Sequence, residues 1–113
     1  MIDQVQPAQL ADWMQSKAAF GKTLVLDVRE TWEVQTASVK ADGFDLLLIP
    51  MHTVPARLNE LSSEQPIACL CHHGGRSMQV AAFLAQQGFT HVANIAGGIN
   101  AWSMQIDRSV PTY

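Results

Sequence analysis

Residues 71 to 77 read Cys-His-His-Gly-Gly-Arg-Ser and follow Pro66-Ile67-Ala68-Cys69-Leu70, an apolar run with the length of a buried strand. Behind them Ser77 to Gln87 carries a helical pattern closed by Gly88, with Phe89 placed for a hydrophobic contact past the helix end. A thiol at such a junction faces the unpaired N–H groups and the positive dipole end of the helix, which favours its thiolate. Gly74 and Gly75 permit positive φ angles, so that successive N–H groups turn inward as an anion-holding nest. Arg76 adds a fixed positive charge, and Ser77 a hydroxyl for the sulfur or for the helix cap. Such surroundings lower a cysteine pKa and leave its sulfur exposed. Cys71 is therefore placed to be a nucleophile; the plainer alternative is an inert buried cysteine beside glycines that only tighten a turn. For Cys69 the weights reverse: on the buried strand it reads as core, with a resolving or regulatory thiol as the other role.

Asp27 and Arg29 close the run Leu24-Val25-Leu26-Asp27-Val28 and stand on the same rim as Cys71. They read as an ion-pair network, Arg29 with Glu33, that fixes the strand-to-helix turn, direct substrate contact being the other reading. The Cys-x-Cys-His-His cluster does not read as a metal site, because adjacent residues at one strand end cannot easily converge on a tetrahedral ion. His52 and His91 read as surface or loop histidines, and Trp13, Met14, Met78, Phe83 and Trp102 as packing.

The elements that must position these groups follow from periodicity. Gln4 to Gln6 suits a short edge strand, and Pro7 opens a helix whose stripe of Leu10, Trp13, Met14 and Lys17 ends near Gly21. Leu24 to Val28 and Leu46 to Ile49 are apolar without alternation, which predicts strands buried on both faces. Pro66 to Leu70 and His91 to Ile95 complete the set, with helices around Thr31 to Ala37, Val54 to Leu61 and Ser77 to Gln87. This alternation predicts an α/β fold, a central parallel sheet of about five strands flanked by helices on both faces. Sites in such sheets lie at the carboxyl ends of the strands, where residues 71 to 77 fall. Lys40-Ala41-Asp42-Gly43 reads as a surface loop.

With 113 residues, 48% of them hydrophobic, the chain can bury a substantial core, and a single domain over residues 1 to 113 is expected. The net charge is −3 and the seven Lys and Arg residues form no basic stripe, which argues against a nucleic-acid partner. Two cysteines one residue apart make a poor disulfide, so a reducing compartment is the simpler reading. The first residues lack a basic segment followed by an apolar one, and no window approaches the roughly 18 apolar residues of a membrane span. A soluble, cytoplasmic protein without membrane contact is expected.

In Cys71-His72-His73-Gly74-Gly75-Arg76-Ser77 the chain resembles the rhodanese-like sulfurtransferases, whose active-site loop has the form Cys-x-x-Gly-x-Arg-Ser. Leu26-Asp27-Val28-Arg29-Glu30 with Trp32-Glu33-Val34 is similar to the first signature of that family, and Gly97-Gly98-Ile99-Asn100-Ala101-Trp102 to the last. The likeness runs from about Leu24 to Pro111. One departure stands out: many members carry a Gly-His-Ile type segment where this chain has Ala37-Ser38-Val39 and then an irregular stretch to Asp45.

The resemblance implies a rhodanese-type enzyme that carries sulfur as a persulfide on Cys71, holds substrate with the loop residues His72, His73, Gly74, Gly75, Arg76 and Ser77, and needs no metal or organic cofactor. It implies thiosulfate or a persulfide as donor, a thiol or cyanide as acceptor, and a protein as one source of the persulfide. Neutral imidazoles at His72 and His73 would attract doubly charged thiosulfate less than Lys or Arg would, which favours a persulfide. Cysteine phosphatases also cradle an anion between Cys and Arg, but with one more residue in the loop; the four residues between Cys71 and Arg76 make a narrower ring, suited to a sulfur atom. A sulfur-relay module loaded only by a protein partner is the alternative, and a small phosphatase or arsenate reductase a more distant one.

Overall fold

The apolar runs become the strands of one sheet in the computed structural model, which describes residues 2–113. The strands are β1 (Ile2–Val5), β2 (Leu24–Asp27), β3 (Asp45–Leu48), β4 (Ile67–Leu70) and β5 (Val92–Ile95), all parallel and ordered β1-β5-β4-β2-β3. The helices are α1 (Leu10–Ser16), α2 (Thr31–Thr36), α3 (Gly75–Gln86) and α4 (Gly98–Gln105). This is the α/β architecture that the alternation of elements predicts. Burial is complete along β2, β4 and β5, each of which has a strand on either side.

Side-chain alternation divides the core in two. On one face Val25, Ala68, Leu70, Ala93 and Ile95 meet Leu10 and Trp13 of α1 and Ile99 and Trp102 of α4. On the other, Leu24, Leu26, Ile67, Cys69, Cys71 and Val92 meet Val80, Ala81 and Leu84 of α3. Cys69 and Cys71 thus share the face that α3 covers, two residues apart.

Four expectations change. The edge strand is Ile2–Val5 rather than residues 4 to 6. The strand at residues 46 to 49 is not buried on both faces: β3 pairs only with β2, and at that sheet edge Asp45 and Leu46 are exposed. The segment expected to be a helix at residues 54 to 61 forms 3₁₀ turns over Pro55–Glu60, interrupted at Arg57 (φ −110°, ψ 16°). Finally, α3 starts at Gly75, so of the two loop glycines only Gly74 has a positive φ, +107°. One left-handed residue suffices to turn the chain from β4 into the helix, and Gly75 already has helical geometry. Among the described residues, no helix is long and apolar enough to cross a membrane.

Candidate active site

The end of β4 and the start of α3 bring the sulfur and its donors together. The Gly74 N–H donates to Cys71 Sγ at 3.1 Å, and Ser77 Oγ lies 3.2 Å from the same sulfur. The N–H groups of His72, His73, Gly75 and Arg76 have no partner among the described residues, as expected where a helix begins. The arrangement can hold negative charge on the sulfur or on an atom bonded to it. Cys71 itself is only 1% exposed, against the expectation of an exposed sulfur, because Gly74 folds over it and Ser77 packs beside it. Cys69 is sealed in the core, and burial pushes its thiol up to about 12.

The loop is held from the other side by α4. Ile99 N–H donates to the Cys71 carbonyl at 2.8 Å and Asn100 N–H to the His72 carbonyl at 3.2 Å. These bonds cap two orphan donors of α4 and fix two peptide planes of the loop that leads from β4 to α3. Because N–H and C=O point opposite ways across a trans peptide, the N–H groups of His72 and His73 are turned away from α4. The close approach depends on Gly98, at φ +59°: a Cβ there would overlap the Cys71 and His72 carbonyl oxygens. Gly97-Gly98, which in the sequence is only a signature, therefore shapes the loop.

At the end of β2 the expected pairing of Arg29 with Glu33 is replaced by two separate pairs. Arg29, fully buried, donates to both carboxylate oxygens of Asp27, at 2.9 and 2.7 Å. Toward Glu33 it reaches only the backbone carbonyl, at 3.4 Å. The Glu33 carboxylate instead takes both ends of the Arg76 guanidinium, at 2.6 and 2.7 Å. It also accepts from Tyr113 Oη at 2.8 Å and from the Glu30 N–H at 3.1 Å. With Arg76 the leading cause, these donors lower the Glu33 pKa to about 2. The reason for the exchange is geometric: Asp27 and Arg29 are two residues apart at the end of one strand, whereas Glu33, in the first turn of α2, faces across to α3. The fixed charge of Arg76 is thus already matched by a carboxylate, and so is that of Arg29.

Rings form the rim. Tyr113 stacks on His72 at 3.8 Å between centroids, His72 stacks on His73 at 3.9 Å, and Trp32, 61% exposed, meets Tyr113 edge-on. Burial lowers the pKa of His72, which keeps its imidazole neutral at pH 7. A hollow of about 500 Å³ is lined by Leu10, Met14, Phe44 and Trp102 among others, and by none of residues 71 to 77.

The structure therefore gathers Cys71, His72, His73, Gly74, Gly75, Arg76 and Ser77 where β4 passes into α3, and buries Asp27 and Arg29 against each other beside them. Three further residues belong to the neighbourhood. Glu33 holds Arg76; its position three residues after Glu30 at a helix start is a capping-box signal. Asn94 touches Ser77, and its signal is a polar residue within a buried strand. Tyr113 reaches back over the site and carries no local signal at all.

A sequence model of the rhodanese-like domain matches residues 7–105, nearly the whole chain. The chain is 38% identical over 114 aligned positions to a rhodanese-like/PpiC domain-containing protein 12, chloroplastic, of Arabidopsis thaliana; the match covers 99% of this chain and only 38% of that protein. It is 32% identical to a sulfurtransferase of Allochromatium vinosum, across 91% of this chain and 90% of that one. In three dimensions it superposes on a rhodanese-like domain protein from Staphylococcus aureus with a TM-score of 0.75 at 23% identity, over 99% of each chain. The chain belongs to the rhodanese-like domain family. Membership and the sulfurtransferase relative together support sulfur transfer as its general chemistry.

Proposed function

We infer that the protein transfers a sulfane sulfur through a persulfide on Cys71. The observation that carries this reading is the sulfur at the head of α3, with a backbone N–H at 3.1 Å and a hydroxyl at 3.2 Å while neighbouring N–H groups stay unspent. The Cys71 thiolate attacks the outer sulfur of a donor; a sulfur–sulfur bond forms at Cys71 as the donor's own bond to that sulfur breaks, and sulfite or a thiolate leaves with the electron pair. The persulfide anion then sits among the free N–H groups. An acceptor, cyanide or a thiolate, takes the outer sulfur as thiocyanate or a new persulfide and restores the Cys71 thiolate. No step needs a metal or an organic cofactor.

The rim favours a persulfide over thiosulfate as donor. Arg29 and Arg76 are paired with carboxylates and His72 is neutral, so little net positive charge remains to attract a dianion. A relay module loaded by a protein is the second reading, favoured by the burial of Cys71. Full turnover with a small donor and acceptor and no partner would decide for the free enzyme. Both thiols are free, which fits a reducing compartment such as the cytoplasm.

The test is intact mass after incubation with thiosulfate or a small persulfide, before and after cyanide. We expect a gain of about 32 Da, one sulfur, that vanishes with cyanide and is absent in Cys71→Ala. A gain that persists in Cys71→Ala would overturn the assignment. No gain from any small donor, with loading by a protein persulfide, would establish the relay.

A further inference from the structure

Ser77 has Cys71 on one side and Asn94 on the other. Its Oγ lies 3.2 Å from Cys71 Sγ and 2.5 Å from Asn94 Oδ1, with the Gly74 carbonyl oxygen at 3.2 Å as a weaker acceptor. Asn94, 4% exposed on β5, donates in turn through Nδ2 to Gln4 Oε1 at 3.0 Å. Gln4 is exposed on the edge strand β1. Four side chains therefore run in series from the nucleophile to the surface, and the persulfide chemistry inferred above assigns no task to the last two.

Each link of such a series has a direction. With Cys71 as a thiol, the order is S–H to Ser77 Oγ, Ser77 O–H to Asn94 Oδ1, and Asn94 N–H to Gln4 Oε1: every donor points away from the sulfur. A thiolate or persulfide anion has no proton to give and needs the one on Ser77. Ser77 has a single O–H, and turning it to the sulfur leaves two acceptors, Ser77 Oγ and Asn94 Oδ1, face to face. Half a turn of the Asn94 amide removes that conflict. Nδ2 then donates to Ser77, and Oδ1 accepts from the amide of Gln4, which turns likewise and gives up its present bond from Nε2 to the weak thioether acceptor Met78 Sδ, at 2.8 Å. The two amide orientations are nearly equal in shape, so the core need not move.

We propose that Asn94 is a positioning residue, a reversible amide switch that releases the Ser77 proton to the sulfur when Cys71 is an anion, and that Gln4 sets its bias. The proposal rests on Cys71 being the nucleophile. The ionisable groups around the sulfur are Cys69 on its own strand, His72 and His73 in the loop, Arg76 of α3 held by Glu33 of α2, and the Asp27–Arg29 pair at the end of β2. No charge lies within the series itself, and neither β5 nor α4 contributes an ionisable side chain.

The experiment is the pH dependence of Cys71 alkylation by iodoacetamide, read at that residue by mass, in high salt to screen plain charge effects. Gln4→Glu can only accept, so it holds the Asn94 N–H outward and raises the midpoint. Gln4→Lys can only donate, so it turns the amide inward and lowers it. We expect the two midpoints to differ by about one pH unit, a tenfold change in thiolate fraction at fixed pH, and to merge in an Asn94→Ala background. If that background does not fold, Ser77→Ala breaks the series one link closer to the sulfur. Equal midpoints with Asn94 intact would overturn the proposal, as would a difference that survives the broken series. A Cys71 that resists alkylation at every pH would instead remove the nucleophile reading, and the proposal with it.

Discussion

The carboxyl ends of β2 and β4 lie side by side in the sheet and are built from similar parts, each with an arginine and a helix close behind. At β2 the charged side chains are consumed: Asp27 and Arg29 satisfy each other, and Tyr113 Oη accepts from Arg29 at 3.0 Å. At β4 the reverse holds. The sulfur receives one backbone donor, and several others nearby have no partner. Charge at a strand end is therefore not by itself binding capacity. What remains after local pairing is what a substrate can use; the β2 end supplies rigidity, and the β4 end supplies unspent donors.

Removal of the Cys71 sulfur should have the greatest effect. Cys71→Ser should abolish thiocyanate formation, whereas Cys69→Ala, on the same face but with a thiol near 12, should keep most of it. Equal losses would mean that the two cysteines act as a pair. Next comes Arg29→Met, which strands a buried Asp27 carboxylate and should cost about 3–5 kcal/mol in denaturant unfolding. A cost below about 1 kcal/mol would show that the pair does not brace the β2 end.

Smaller and pH-dependent is the effect of Glu33→Gln. Because the Glu33 pKa is lowered from 4.5 to about 2, its stabilising contribution is fully present above the unfolded value and is lost as pH falls toward 2. The Tm gap between wild type and Glu33→Gln should therefore be widest at neutral pH and narrow below about pH 4.5; a constant gap would assign the effect to packing. Smallest is the double change His72→Lys with His73→Lys, which should lower the KM for thiosulfate by roughly three- to tenfold by adding cations to a rim that lacks them. An unchanged KM would mean that the dianion is not recruited by charge at this rim.

Much of this was legible in the sequence because it is local. The strand-turn-helix at residues 66 to 87 announces itself by an apolar run, a glycine pair and a helical period, and the sulfur meets one N–H group there, that of Gly74. The uniform apolar runs place β2 and β4 inside the sheet, but they cannot tell an inner strand from an edge, which is where β3 falls. Pairing was harder to read. Glu33 stands as near in sequence to Arg29 as a helix turn allows, yet it bonds Arg76, 43 residues away. Asn94 and Tyr113 reach the site across 17 and 80 residues respectively, to Ser77 and Glu33, distances over which periodicity carries no information.

The two bonds from α4 to the loop between β4 and α3 have a practical consequence. The Ile99 and Asn100 amide protons are clasped by the Cys71 and His72 carbonyls, so they exchange with solvent only when the loop itself loosens. They sit on the far side of those peptide planes from the free donors. Their isotope exchange would therefore act as a built-in gauge of the cradle's integrity, readable while substrate occupies the front.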